Sequence, residues 1–231
     1  MQEGVSKDMQ STAIKGFRLS LQQSRLWSLQ GQRAYNAQCI IKVQGHLVSD
    51  IFQQALQILV ERHSILRTLY QRIPGMEVPI QAVVEQGHVD LSIINLEALN
   101  DLAQSTQLDL HLIHTHQEPF DFENGPLLRV SLLHTAAETA LLVISLPALC
   151  ADSATLKNLV IELGRIYEAC LQGRVLVDSP LLYADVSGWQ DDLLREEDSE
   201  EHRESWRSSD YSQLLTQRLP FQRVGEGKWP F

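Results

Sequence analysis

Apolar and polar positions alternate along the chain with two different periods, and the switches between them mark out its elements. Residues 19–29 (LSLQQSRLWSL) place Leu19, Leu26 and Leu29 near one helical face, with Ser20 as a helix-capping residue. Residues 37–43 form a short β-rich run closed by Gly45. Residues 49–61 open on a capping Ser49 and repeat Ile51, Ala55, Ile58 and Leu59 at helical spacing, which predicts a helix. Residues 66–73 have strand character and stop at the turn dipeptide Pro74-Gly75. Residues 78–85 and 89–96 read as short strands or an irregular arm.

Residues 100–116 predict a polar helix leading into Glu118-Pro119-Phe120-Asp121. Residues 127–134 and 140–146 are two apolar, β-branched runs joined by a short polar link, the pattern of adjacent antiparallel strands. Residues 156–171 predict a long amphipathic helix stopped by Gly173, and residues 183–208 a second, acidic helix broken near Gly188. Residues 219–231 have two Pro, two Gly and no period, and read as an extended linker. The sum is an α/β domain: a mixed, mostly antiparallel sheet with helices packed on it.

Composition narrows the class. With 231 residues, 44% hydrophobic and 21% charged, the chain is neither collagen-like, coiled-coil nor disordered, and it is long enough for one large core. Three cysteines, Cys39, Cys150 and Cys170, cannot close a disulfide framework and include no CxxC pair, so a reducing, cytoplasmic setting is expected. Residues 1–16 lack an apolar targeting segment, and no run of about 18 apolar residues occurs, so no membrane partner is expected. The net charge of −10 argues against nucleic acid. Ten acids and three bases between Asp185 and Asp210 hold −7 of it, either as a solvated helix face or as an acidic docking surface.

Four motifs are specific. Ser20, Gln23, Arg25, Leu26 and Trp27 fit SxxQxRLW; Arg62, His63, Leu66, Arg67 and Thr68 fit RHxxLRT. Pro119-Phe120-Asp121 with Gly125-Pro126-Leu127-Leu128-Arg129 fit PFDxxxGPLLR, and Tyr183-Ala184-Asp185 with Trp189-Gln190 fit YADxxxWQ. In this order and spacing, over residues 17 to 210, the chain resembles the N-terminal lobe of a condensation domain of nonribosomal peptide synthetases, a relative of the chloramphenicol acetyltransferase fold. The expected division is a lead-in over 1–16, a condensation-like lobe over 17–210 and a tail over 211–231.

The resemblance implies two lobes in a V around a tunnel, entered from opposite faces by carrier proteins bearing phosphopantetheine arms. It implies no cofactor on the lobe itself. An amine attacks a thioester beside an HHxxxDG motif, whose second His positions or activates the amine. That motif should lie between the strand at 140–146 and the following helix, where the sequence reads Ser145-Leu146-Pro147-Ala148-Leu149-Cys150-Ala151-Asp152-Ser153. Anchored on Asp152, the two His positions hold Pro147 and Ala148, and the Gly position holds Ser153. Only the Asp remains, and the DxxxxD variant fails at Pro147 as well. Neither Pro147 nor Ala148 can hold a proton, and loss of a positioned base removes about 10²–10⁴ in rate. The chain also ends before a second lobe could begin.

Within the family the Asp pairs with an Arg, so Asp152 is expected to pair with Arg62, or with Arg67; capping the following helix is compatible with either. Other chemistry reads as bland. His111, His114 and His116 have zinc-like spacing but no Cys or further His nearby, so they are expected as surface histidines. Cys150 is expected as a small buried residue rather than a nucleophile. His63 is expected to be packed or C-capping, and Trp27 and Phe120 to lie in the core.

The reading is a non-catalytic lobe that acts as a structural or docking platform in an assembly line. Its expected partners are a neighbouring adenylation or carrier domain, or a second copy of itself through the side a second lobe would cover. The rivals are half of a split enzyme completed in trans, and a cleft that binds an acyl or aminoacyl ligand without turnover. Ala148 separates the first rival, because a split catalyst would keep its base on this lobe.

Overall fold

The computed structural model describes residues 16–29, 35–176, 178, 180–195 and 198–210. In chain order the elements are β1 (Gly16–Phe17), α1 (Leu21–Leu29), β2 (Asn36–Gln44), α2 (Ser49–Arg62), a 3-10 turn (Ser64–Arg67), β3 (Thr68–Gln71), β4 (Ile80–Val83) and β5 (Val89–Asn95). They continue with α3 (Asp101–Gln117), β6 (Leu128–Ala136), β7 (Thr139–Pro147), α4 (Ser153–Leu171), α5 (Tyr183–Arg195) and α6 (Asp198–Ser208). Two compact units divide the chain, Met1–Gln190 and Asp191–Phe231. Both sheets and the core belong to the first; within the second, Arg195 and Asp191 form an i,i+4 ion pair at 3.0 Å.

The larger sheet has the order β2-β7-β6-β5. β6 and β7 form the expected antiparallel hairpin, β2 adds antiparallel to β7, and β5 lies parallel to β6. A parallel neighbour needs a crossover, and α3 supplies it. The smaller sheet, β1-β4-β3, is antiparallel. The α/β class with a mixed, mostly antiparallel sheet is therefore as the sequence indicates.

Period-2 patterning divides the larger sheet into two unequal faces. On one, Leu128, Val130 and Leu132 of β6 and Leu142, Ile144 and Leu146 of β7 are buried against α2 and α4. α4 buries Leu156, Leu159, Leu163, Ile166 and Ala169, one stripe at helical spacing. α2 buries Phe52, Ala55, Leu56, Leu59 and Val60, so its inward face is rotated from the Ile51/Ile58 line, which is only partly covered. The opposite sheet face has a thinner core, in which Leu96, Leu133 and Val143 meet Leu108 and Leu112 of α3.

Several local expectations are corrected. Val48, not Ser49, is the N-cap of α2, without a side-chain cap bond; its N–H instead donates to the Tyr167 hydroxyl at 2.9 Å. Residues 64–67 are a 3-10 turn, in which the Thr68 hydroxyl bonds the Ser64 carbonyl, and the strand begins only at Thr68. α5 is unbroken at Gly188 and ends at Arg195, because a single helical glycine costs only about 1 kcal/mol against alanine. Gly173, with φ of +63°, ends α4 as expected. The tail expected over 211–231 lies outside the described residues.

Leu132, fully buried at the centre of the sheet, sets the stability test. Leu132→Ala is expected to cost about 2–5 kcal/mol in urea unfolding. Ile161→Ala, on the half-exposed side of α4, is expected to stay within about 0.5 kcal/mol.

Candidate functional site

The segment 147–153 joins β7 to α4, and every anchor on it can be traced. Pro147 is the last strand residue, where its missing N–H leaves no gap in the ladder. Its carbonyl accepts from Cys150 N–H at 2.8 Å, which closes a tight turn. Ala148 N–H donates to the Tyr35 carbonyl at 2.7 Å. The Leu149 carbonyl accepts from Gln23 Nε2 at 3.1 Å and from the Tyr70 hydroxyl at 3.4 Å.

Gln23 is the organising side chain, and its position follows from its spacing. Ser20 Oγ accepts from Gln23 N–H at 3.2 Å, while Gln23 Oε1 accepts from Ser20 N–H at 3.0 Å. This reciprocal capping box fixes the start of α1 and the carboxamide together. Its Nε2 then faces the Tyr70 hydroxyl, Gln81 Oε1 and the Leu149 carbonyl. Gln81 Nε2 donates to the Arg18 carbonyl at 2.8 Å, and Ser20 Oγ lies 2.9 Å from the Tyr183 hydroxyl. Gln23, Tyr70 and Gln81 are all essentially inaccessible, so each of these bonds forms where an unmet polar group would be expensive.

The titratable groups beside the segment are locked in neutral forms. Burial pushes the Cys150 thiol up to about 12, against a weaker lowering effect of the Tyr70 hydroxyl at 3.5 Å. Burial, and then the neighbouring Cys150, hold the Tyr70 phenol well above its ordinary value. At neutral pH neither is a base or a thiolate nucleophile. Cys150 is thus the buried, inert residue expected.

Asp152 is the N-cap of α4. Its Oδ1 accepts from both the N–H and the hydroxyl of Thr155 at 2.8 Å, and the Thr155 amide above all lowers the carboxyl below its ordinary value. Ser153 begins the helix. The expected pairing with Arg62 or Arg67 is not formed. Arg62 Nε donates to Glu162 Oε1 at 3.0 Å, and its other nitrogens reach the Asp178 carboxylate and carbonyl. Arg67 donates to the Val84 and Glu61 carbonyls. Both guanidinium groups are used where α2 and the 3-10 turn leave them, and the Asp152 carboxylate is exposed on its own helix end. Capping, the compatible role, is the one observed.

A second cluster has no counterpart in the sequence reading. Glu162 of α4 takes Arg62 on Oε1 and His63 Nε2 on Oε2, the latter at 2.7 Å, clamping the end of α2 to the middle of α4. Burial raises the Glu162 carboxyl, but the bonds from Arg62 and His63 outweigh it and the net shift is downward. His63 is the C-cap residue of α2, its N–H bonding the Leu59 carbonyl, so the expected capping place holds and the ion pair is an addition.

The three α3 histidines separate. His114 and His116 are exposed, whereas His111 is half-buried, its ring shifted down by burial and then by His114. Among the described residues no group of His, Cys, Asp and Glu could hold a metal ion, and no helix is long and apolar enough to cross a membrane. Phe120 is buried, while Trp27 is partly so, stacked on Tyr70 at 6.2 Å and edge-on to Phe122 at 5.7 Å.

Comparison with known proteins agrees with the sequence motifs. Residues 15–226 match the family model described as Condensation domain. The chain is 34% identical over 183 residues to tyrocidine synthase 2 of Brevibacillus parabrevis, covering 79% of this chain and 5% of that protein. The starter condensation domain of the rhizomide synthetase superposes with a TM-score of 0.73 at 15% identity, over 85% of this chain and 49% of that one. A chain from the complex of the X-domain and OxyB of teicoplanin biosynthesis gives 0.66 at 21% identity, over 85% and 42%. The chain therefore spans a small part of its sequence relatives and about half of the matched structures.

Two measurements check this geometry. Gln23→Ala removes a donor from the Leu149 carbonyl and leaves the buried Gln81 Oε1 without its Gln23 partner, and is expected to cost about 1–3 kcal/mol by denaturant unfolding. Glu162→Gln removes a carboxylate whose folded pKa is depressed, so the stabilisation it lends is present above the ordinary carboxylate range and fades as pH falls through the folded value. The stability gap between wild type and Glu162→Gln should thus be widest near neutrality and close in acid; a gap that widens on acidification would refute the assignment.

Proposed function

The chain belongs to the condensation-domain family, and on that footing we propose that it is a non-catalytic condensation-like lobe, a structural or docking platform in a nonribosomal peptide synthetase or hybrid assembly line. The observation that carries this reading is the 147–153 segment. Pro147 and Ala148 stand at the two His positions of the family motif, and neither side chain can take or hold a proton.

The surroundings support the same conclusion. Cys150 and Tyr70 stay protonated, Asp152 is committed to Thr155, and the Leu149 carbonyl is held by Gln23. The segment has become a fixed connection between strand and helix. Docking has separate support: α3 presents Leu102, Leu110 and Ile113 outward, each more than half exposed. One structural neighbour comes from a complex of the X-domain with a separate protein, OxyB, so this fold is compatible with holding a protein partner.

The test supplies the chain with donor and acceptor carrier proteins charged with amino acids and assays the acceptor for dipeptidyl thioester by mass spectrometry. No product above the uncatalysed rate is expected, and Ala148→His is expected not to raise it. Pro147 fixes its own φ near −65°, and the Ala148 N–H is tied to Tyr35, so an imidazole at 148 is not free to seek a productive direction. Product from the unmodified chain overturns the non-catalytic reading. Titrating the separate carrier and adenylation domains of the same assembly line against the chain checks the docking half, and binding to neither overturns that half.

A further inference from the structure

β2 is one edge of the larger sheet, and it lacks the usual guards of an edge. Its nine residues include no proline, its register with β7 is unbroken from Asn36 to Gln44, and Lys42 is its one charge. The direction of each backbone group follows from two bonds that flank the ladder. Ala148 N–H donates to the Tyr35 carbonyl and Gly45 N–H to the Glu138 carbonyl. Both pairs continue the register that sets Cys39 opposite Ile144, and in an antiparallel ladder bonded pairs alternate with open ones. Ala37, Cys39, Ile41 and Val43 therefore turn their N–H and C=O groups toward β7. Asn36, Gln38, Ile40, Lys42 and Gln44 turn theirs outward, where no strand lies among the described residues.

We propose that this edge pairs with the same edge of a second copy of the chain, antiparallel across a two-fold axis through Ile40, to make one continuous sheet. The strand is self-complementary in that register. Ile40, 46% exposed, meets the partner's Ile40. Gln38 lies opposite the partner's Lys42 and Asn36 opposite the partner's Gln44; with Gln38 Nε2 held by Thr115 and Ser145 and Asn36 Nδ2 by the His116 carbonyl, it is their amide oxygens that accept from the ammonium and the Gln44 amide. On the other face Cys39 meets the partner's Ile41, and Ala37 meets the partner's Val43, which extends the half-covered apolar row of β2. All outward N–H and C=O groups find partners, and no like charges oppose one another. Moving the axis to Ile41 would set Lys42 against the partner's Ile40, and moving it to Cys39 would leave Val43 and Gln44 without opposite residues on the strand. Isologous pairing of this kind closes at two chains.

The edge is remote in role from the 147–153 segment, so dimer loss and any gain of condensation activity are read independently. Sedimentation equilibrium of the full chain is expected to show a monomer–dimer equilibrium. Ile40→Pro removes an outward N–H while leaving every bond to β7 in place, and is expected to give a monomer with an unchanged far-ultraviolet spectrum. Ile40→Lys brings two ammonium groups together on the axis and is expected to raise the dissociation constant at least about tenfold. Mixing Ile40→Lys with Ile40→Glu should restore association as a mixed dimer, which keeps the test decisive even if the proline variant fails to fold. A chain that stays monomeric throughout, or a dimer indifferent to the Ile40 variants, overturns the proposal and leaves the edge to a different polypeptide or none.

Discussion

One carboxamide joins the parts of the first unit. Gln23 fixes the start of α1 through the capping box, reaches the smaller sheet through Gln81 and Tyr70, and holds the Leu149 carbonyl beyond β7. An amide can do this because it offers both donors and an acceptor in one rigid plane. Its environment makes the junction demanding: with water excluded, a misplaced segment would leave several polar groups unmet at once. The 147–153 segment, which joins β7 to α4, is thereby anchored to α1 and to the smaller sheet.

The motif residues show the same reliance on hydrogen bonding. The scaffold residues of the family pattern, Ser20, Gln23, Arg62, His63, Asp121 and Asp152, all make definite contacts. Asp121, for instance, accepts from the Glu123 and Asn124 amides and so shapes the turn that precedes Gly125. The segment 147–153, by contrast, is held through backbone groups, the Leu149 carbonyl and the Ala148 N–H. Packing and hydrogen bonding thus fix these residues without reference to any reaction.

Much of the fold was legible because it rests on local periodicity. The β6–β7 hairpin, the polar helix α3 and α4 ending at Gly173 follow from short-range pattern alone. What was not legible depends on partners far apart in sequence. Ser20 read as a capping residue, but nothing local said that the Gln23 amide would complete a capping box and meet Tyr70, Gln81 and Leu149. Glu162 sat in an ordinary amphipathic helix, and only the packing of α2 on α4 brings Arg62 and His63 to it. Asp152 was assigned to an arginine because the family pairs them, yet Thr155, three residues away, satisfies the carboxylate without any long-range closure. The local alternative was available from sequence and is the one adopted.

The attachment of α3 has a dynamic consequence. This crossover helix rests on the thin core of the sheet, and much of its hold comes from side-chain amides at its two ends. Gln104 reaches the Leu96, Leu99 and Thr135 carbonyls, while Asn36 and Gln38 grip His116 and Thr115. Helices fastened in this way open as cooperative units at a free energy below that of the whole fold. The amides of α3 are therefore expected to exchange with solvent hydrogen sooner than those of α4, whose buried stripe is part of the main core. Within the first unit, the four-stranded sheet separates a helix seated on a broad core from one seated on a narrow core.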